Sequence, residues 1–141
     1  MSETQHTGRI RILVIEDNPA DVDLLQRALK HAGLDCELTV VDDGADALAL
    51  VRKRVEPSET PDLAIIDLNL PKHGGLEVLE EIRANQTLAG LPVVILSSSS
   101  SPRERGSIER LRAGRHIVKP PGLDEFLNIG LEVKALLKES H

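Results

Sequence analysis

Five apolar runs, each followed by a helical pattern, predict an α/β fold: a doubly wound, five-stranded parallel sheet with helices on both faces. The central runs, Leu63-Ala64-Ile65-Ile66 and Val93-Val94-Ile95-Leu96, are continuously apolar rather than alternating. That is how strands buried on both faces read. Four of the runs also end on polar residues, which places chemistry where the strands stop.

Ile10 to Ile15 reads as the first strand and ends in the acidic pair Glu16-Asp17. Asn18 is a strong N-cap, Pro19 suits the first helical position, and Asp21 and Asp23 suit the positive end of the helix. Val22, Leu25, Ala28 and Leu29 recur at helical spacing until Gly33 stops the helix. Cys36 opens the next apolar run and is expected to be a small core residue; Leu38 to Val41 form the second strand. A second helix carries Ala47, Leu48 and Val51. It dissolves into 52–61, expected to be the least structured connection. The Asp67 strand follows, and Pro71 cannot donate to a sheet ladder. After a Gly74-Gly75 turn, a third helix turns Leu76, Leu79 and Ile82 inward. The fourth strand, Pro92 to Leu96, ends at Ser97 and a run of five serines. Ser101 and Glu104 have capping-box spacing. The helix they start is weak, interrupted at Gly106 and Ser107 and closed by Gly114. His116 to Val118 is a minimal fifth strand before Lys119-Pro120, and Leu123 to Lys138 is the last helix.

At 141 residues the chain makes one domain able to bury about two thirds of its unfolded surface. Residues 1–8 are polar, lack the apolar segment of a signal peptide and are expected to be a disordered N-terminal tail, with 9–141 as the domain. A formal charge of −6 with mixed signs gives no footprint for nucleic acid and argues against an anionic membrane surface. The lone aromatic, Phe126, excludes a base-stacking surface. One cysteine excludes an internal disulfide and a cysteine metal site. No apolar run approaches the ~18 residues of a membrane span, so the expected location is cytoplasmic. His6, His31, His73 and His141 lack ligand spacing and read as surface residues.

In a parallel sheet all carboxyl ends share one edge, so Glu16-Asp17, Asp67, Ser97 and Lys119 converge although distant in sequence. Clustered carboxylates do not all stay ionised without a cation. Oxygen-only donors suggest Mg²⁺. Lys119 offers a point charge for a phosphoryl group and Ser97 a hydroxyl donor. Together these describe phosphoryl transfer onto Asp67.

Glu16-Asp17, Asp67-Leu68-Asn69-Leu70-Pro71, Ser97 and Lys119-Pro120, each after its strand, resemble the receiver domain of bacterial response regulators over about residues 9–138. Asn18-Pro19-Ala20-Asp21 and Asp67 to Lys72 are most similar to the small stand-alone receivers that partner phytochrome-type histidine kinases. The resemblance implies a flavodoxin-like strand order, 2-1-3-4-5. It implies that Asp67 takes a phosphoryl group from a kinase phosphohistidine. Asp17, Asp67 and the main-chain carbonyl of Asn69 would hold Mg²⁺, with Glu16 acting mostly through water. Lys119 would pair with phosphoryl oxygens, Ser97 would turn inward to hydrogen-bond one, and the Lys119-Pro120 bond would be cis. Ser97 and His116 would be the switch pair. Asn69 and Ser99 would tune the lifetime of the phosphorylated state. Gly74 departs from the pattern, since receivers often have Asp or Asn there, and His116 stands where an aromatic is common.

With no helix-turn-helix, basic recognition stretch or catalytic domain in sight, such a regulator is expected to act in a two-component system or phosphorelay. It would dock on a target protein or pass the phosphoryl group to a phosphotransfer protein. It would not be an enzyme beyond self-directed phosphotransfer and dephosphorylation. Two alternatives compete. A phosphorylation-independent adaptor would have lost an acidic or Lys position, and none is lost. An aspartyl-nucleophile hydrolase needs a second Asp two residues after the first, where this chain has Asn69. The last helix carries Leu123, Leu127 and Leu131 beside its core stripe. These are covered by the fourth helix or exposed as a self-association or docking face.

Overall fold

The computed structural model describes residues 9–53, 56–71 and 74–140. The expectation of a disordered tail, and the surface positions of His6, His73 and His141, lie outside the described residues.

Strands β1 (Ile10–Ile15), β2 (Cys36–Val41), β3 (Leu63–Asp67), β4 (Val93–Ser97) and β5 (Arg115–Val118) form one sheet in the order β2-β1-β3-β4-β5. Every pairing is parallel, with Ile15 beside Ile66, Asp67 beside Leu96 and Ser97 beside Val118. Helices α1 (Pro19–His31), α2 (Gly44–Arg52), α3 (Gly75–Ala84), α4 (Pro102–Arg110) and α5 (Leu123–Ser140) cross between the strands.

Side chains alternate across a strand, so successive residues feed two cores. Ile12, Val14, Leu63 and Ile65 pack with α1 and α5 on one face. Leu13, Ile15, Ala64 and Ile66 pack with α2, α3 and α4 on the other. Each fully buried Leu or Ile contributes about 1.5–3 kcal/mol relative to exposure, and β3 and β4 are buried from end to end. Among the described residues no helix is long and apolar enough to cross a membrane.

The expected caps are in place. Asn18 Oδ1 accepts the Ala20 N–H at 2.9 Å and Pro19 opens α1. Ser101 and Glu104 form the reciprocal capping box of α4. Leu131 is half exposed, at 50 %, so α4 does not cover the outer flank of α5 there.

Four expectations need correction. Cys36 lies on edge strand β2 and is half-buried, because an edge strand receives cover on fewer sides. Among its described residues the connection after α2 contains a 3₁₀ turn, Pro57–Glu59, held because Arg11 Nη2 donates to the carbonyls of Ser58 at 2.8 Å and Thr60 at 3.0 Å. Gly114 does not close α4: the left-handed residue there is Arg112, at φ 57°. Gly114 is instead a point of close approach, since a Cβ would come within 2.7 Å of Leu136 Cδ1. Finally, there is no cis peptide among the described residues, so Lys119-Pro120 is trans. Trans is the lower-energy form of an X-Pro bond, and in it Lys119 already reaches Glu16 and Asp21.

Candidate functional site

The carboxyl edge of the sheet brings the expected residues together. Glu16 follows β1, Asp67 ends β3, Ser97 ends β4 and Lys119 follows β5. Glu16, Asp67 and Ser97 are buried, whereas Asp17 is exposed at the rim. Carboxylate oxygens of Glu16, Asp17 and Asp67 all lie within 4.8 Å of one another.

Among the described residues, one ammonium answers this negative charge. Lys119 Nζ donates to Glu16 Oε1 at 3.0 Å and to Asp21 Oδ2 at 2.8 Å, and stands 3.5 Å from Asp67 Oδ2. Burial alone would lower the pKa of this ammonium, but its bonds to Asp21 and Glu16 outweigh that and raise it, so the charge is kept. Burial pushes the Glu16 carboxyl up to about 7, and Asp67 adds to the rise; the Lys119 bond and the Asn18 N–H pull the other way. Among the described residues, four carboxylates, those of Glu16, Asp17, Asp21 and Asp67, thus gather in one site with one ammonium. Such an excess of hard oxygen donors fits a dication of the Mg²⁺ kind.

Asp67 and Asn69 are tied by the loop after β3. The Asn69 N–H donates to Asp67 Oδ1 at 2.9 Å. The Asn69 side chain is committed to the serine run. Its Oδ1 accepts from the Ser98 N–H at 2.9 Å and the Ser98 hydroxyl at 3.1 Å, while Nδ2 donates to the Ser99 carbonyl at 3.2 Å. The serines are therefore structured by the site rather than an idle loop.

Ser97 and His116, the expected switch pair, are in contact: Ser97 Oγ lies 2.9 Å from His116 Nε2. Gly74 caps α3 with no side-chain bond. Gly75 is required because a Cβ there would run into the Asp67 carbonyl oxygen and the Leu68 Cα.

The sequence reading missed Asp21 as a member of the site. It saw only a favourable charge in the first turn of a helix, whereas Asp21 also holds Lys119. The available signal was its position one turn past Asp17, on a helix that starts at the same sheet edge.

Comparison with known proteins agrees with this geometry. The family model of the response regulator receiver domain matches residues 12–129. The chain is 34% identical to response regulator Rcp1 of Synechocystis sp. over 131 residues, covering 92% of this chain and 88% of that one. It is 30% identical to the probable transcriptional regulatory protein TcrX of Mycobacterium tuberculosis over 93% of this chain, but spans only 51% of that longer protein. Among solved structures, the phosphorylated cyanobacterial phytochrome response regulator RcpA superposes with a TM-score of 0.80 at 34% identity, covering 94% of this chain and 96% of that one. The Mn²⁺-bound form of Rcp1 gives a TM-score of 0.77 at 34% identity over 89% and 92% of the two chains.

Proposed function

The chain belongs to the response regulator receiver family of two-component signalling proteins, and on that premise we propose that Asp67 accepts a phosphoryl group from the phosphohistidine of a histidine kinase. The observation that carries this is the packing of Glu16, Asp17 and Asp67 oxygens within 4.8 Å, with Lys119 Nζ 3.5 Å from Asp67 Oδ2.

In the transfer, an Asp67 carboxylate oxygen forms a bond to phosphorus as the phosphorus–nitrogen bond of the donor imidazole breaks, and the electron pair returns to that imidazole. Burial of Asp67 limits competing water. Lys119 neutralises charge on the arriving oxygens. The Asn69 N–H orients Asp67 through Oδ1, and Gly75 keeps the α3 backbone close behind the acceptor. Asp17, Asp67 and the Asn69 carbonyl would hold Mg²⁺, with Glu16 acting through water. When bound, Mg²⁺ supplies positive charge that lets the carboxylates and the phosphoryl group share one site. Ser97 would donate to a phosphoryl oxygen, so that Ser97 and His116 carry the change outward. The only chemistry proposed for the chain alone is self-directed phosphotransfer and loss of its own phosphoryl group.

RcpA is a phytochrome response regulator, and a phytochrome-type histidine kinase is the upstream partner we infer. The downstream partner is a protein target or phosphotransfer protein met in the cytoplasm, or a second copy of this chain bound through α5. Incubation with Mg²⁺ and acetyl phosphate should add one base-labile phosphoryl group. Retention of that label in Asp67→Asn would overturn the assignment.

A further inference from the structure

The bond between Ser97 and His116 has a direction. Ser97 is fully buried, and its Oγ lies 2.9 Å from His116 Nε2. A buried hydroxyl that passes its proton to nothing loses about 1–3 kcal/mol. The acceptor in reach among the described residues is Nε2. The Ser97 carbonyl, by contrast, already takes the Lys119 N–H at 2.8 Å. With Nε2 accepting, the ring proton sits on Nδ1.

Charged groups face this ring from several elements. Burial first, and Arg105 of α4 second, hold the His116 pKa below its ordinary value, so the ring is neutral near neutral pH. Arg115 of β5 and Glu125 and Glu132 of α5 line the groove beside it. On the site side, Asp67 at the end of β3 and Lys119 just after β5 flank Ser97.

We infer that His116 is a positioning residue for the Ser97 proton: Nε2 accepts it in the unphosphorylated protein and becomes the donor once Ser97 turns to a phosphoryl oxygen. The inference rests on the phosphoacceptor reading of Asp67. No covalent bond at Ser97 is made or broken. The hydroxyl keeps its proton and redirects it from Nε2 to the phosphoryl oxygen. Oγ then presents lone pairs to a ring nitrogen that must carry a proton of its own. A neutral ring meets this by exchanging its proton from Nδ1 to Nε2 through solvent; a cationic ring already holds both protons.

A phosphoryl group also brings a charge of about −1.5 to −2 nearby. Phosphorylation therefore raises the His116 pKa from its depressed value. By reciprocity, proton uptake at His116 favours the phosphorylated state. The phosphorylated form gains as pH falls through the interval between the two pKa values, about tenfold per unit of separation.

Ring ¹⁵N NMR of the full chain tests this, with His116 assigned from the spectrum of His116→Gln. Spectra are taken without and with Mg²⁺ and acetyl phosphate, while mass spectrometry counts the phosphoryl groups. Nε2 should resonate as a bare, pyridine-type nitrogen in the free protein and as a protonated nitrogen once the label is on. In mildly alkaline solution Ser97→Ala should abolish that change. A protonated Nε2 in the free protein at neutral pH, or a bare Nε2 in the fully phosphorylated protein, overturns the inference. Failure to take any label overturns the phosphoacceptor reading instead, and the free-protein spectrum still judges the direction of the Ser97–His116 bond.

Discussion

Lys119 Nζ donates to Asp21 Oδ2 at 2.8 Å, closer than to any other carboxylate of the site. The first turn of α1 therefore competes with Asp67 for the ammonium that a phosphoryl group would need. On this geometry Asp21 is expected to act as a brake on Lys119 as well as a helix-end charge.

Asp21→Asn should relax that brake. The charge-assisted bond is partly open to solvent, so its loss is set at roughly 1 kcal/mol, about fivefold in rate. The expected result is faster labelling of Asp67 by acetyl phosphate, with a lower Lys119 pKa by NMR. Slower labelling, with Mg²⁺ affinity unchanged, would mean that Asp21 positions Lys119 productively instead.

The contrast between Asp67 and Asp21 shows what the sequence carries. Asp67 closes a run buried on both faces, and a continuous apolar strand announces its own end. The sheet edge and most of the site follow from that rule applied to each strand. Asp21 sits in a helix turn where an acidic residue has a sufficient local explanation, and only the reach of Lys119, from just after β5 to the start of α1, gives it a second role. Arg112 was missed for a similar reason. Glycine is the usual left-handed residue, so Gly114 drew the assignment, while its true constraint is the long-range contact with Leu136.

The two adjacent acids should separate by experiment. Glu16 is buried with Oε1 on Lys119 and Oε2 on the Asn18 N–H, whereas Asp17 is exposed at the rim. Asp17→Ala should weaken Mg²⁺ binding far more than Glu16→Ala in calorimetric titration. Glu16→Ala should instead lower the melting temperature, because it takes a partner from a half-buried ammonium. Equal losses of Mg²⁺ affinity would refute the ligand assignment.

Two glycines should respond with opposite signs. At Gly130 a Cβ would run into the Ala28 carbonyl, where α1 and α5 approach backbone to backbone. Gly130→Ala should cost about 1–3 kcal/mol or more. At Gly106 a Cβ meets open space within α4. Gly106→Ala should gain up to about 1 kcal/mol. Urea unfolding midpoints at constant slope decide both. Hydrogen exchange across α4, which buries only Ile108, should also slow in Gly106→Ala.

Cys36 should be a poor nucleophile. Burial, with Asp35 adding, pushes its thiol from 9.0 to about 11. Two units leave about one hundredth of the thiolate at mildly alkaline pH. Iodoacetamide should therefore label the native chain about 100-fold more slowly than the urea-unfolded chain, with the gap closing as pH rises through the native value. Equal rates would mean that β2 frays at its edge.

The last prediction concerns the outer face of α5. Leu123 and Leu131 of α5 are 51 % and 50 % exposed, and Leu127, one turn from each, is half-buried. The exposed residues Asp124, Asn128 and Glu132 run beside this stripe and give it a polar border. An apolar patch with a polar rim is the anatomy of an interface. The expected occupant is a second copy of the chain, because a helix face of this kind pairs with itself about a two-fold axis. Sedimentation of the wild type should reveal a dimer. Leu131→Glu should abolish it while leaving the stability within about 0.5 kcal/mol of wild type, since an exposed position contributes little to the fold. Leu127→Glu, at a half-buried position, should weaken both dimer and fold, and that difference separates contact from core. A wild type that stays monomeric with and without phosphorylation, together with a Leu131→Glu variant that accepts phosphoryl groups from its kinase normally, would refute the dimer.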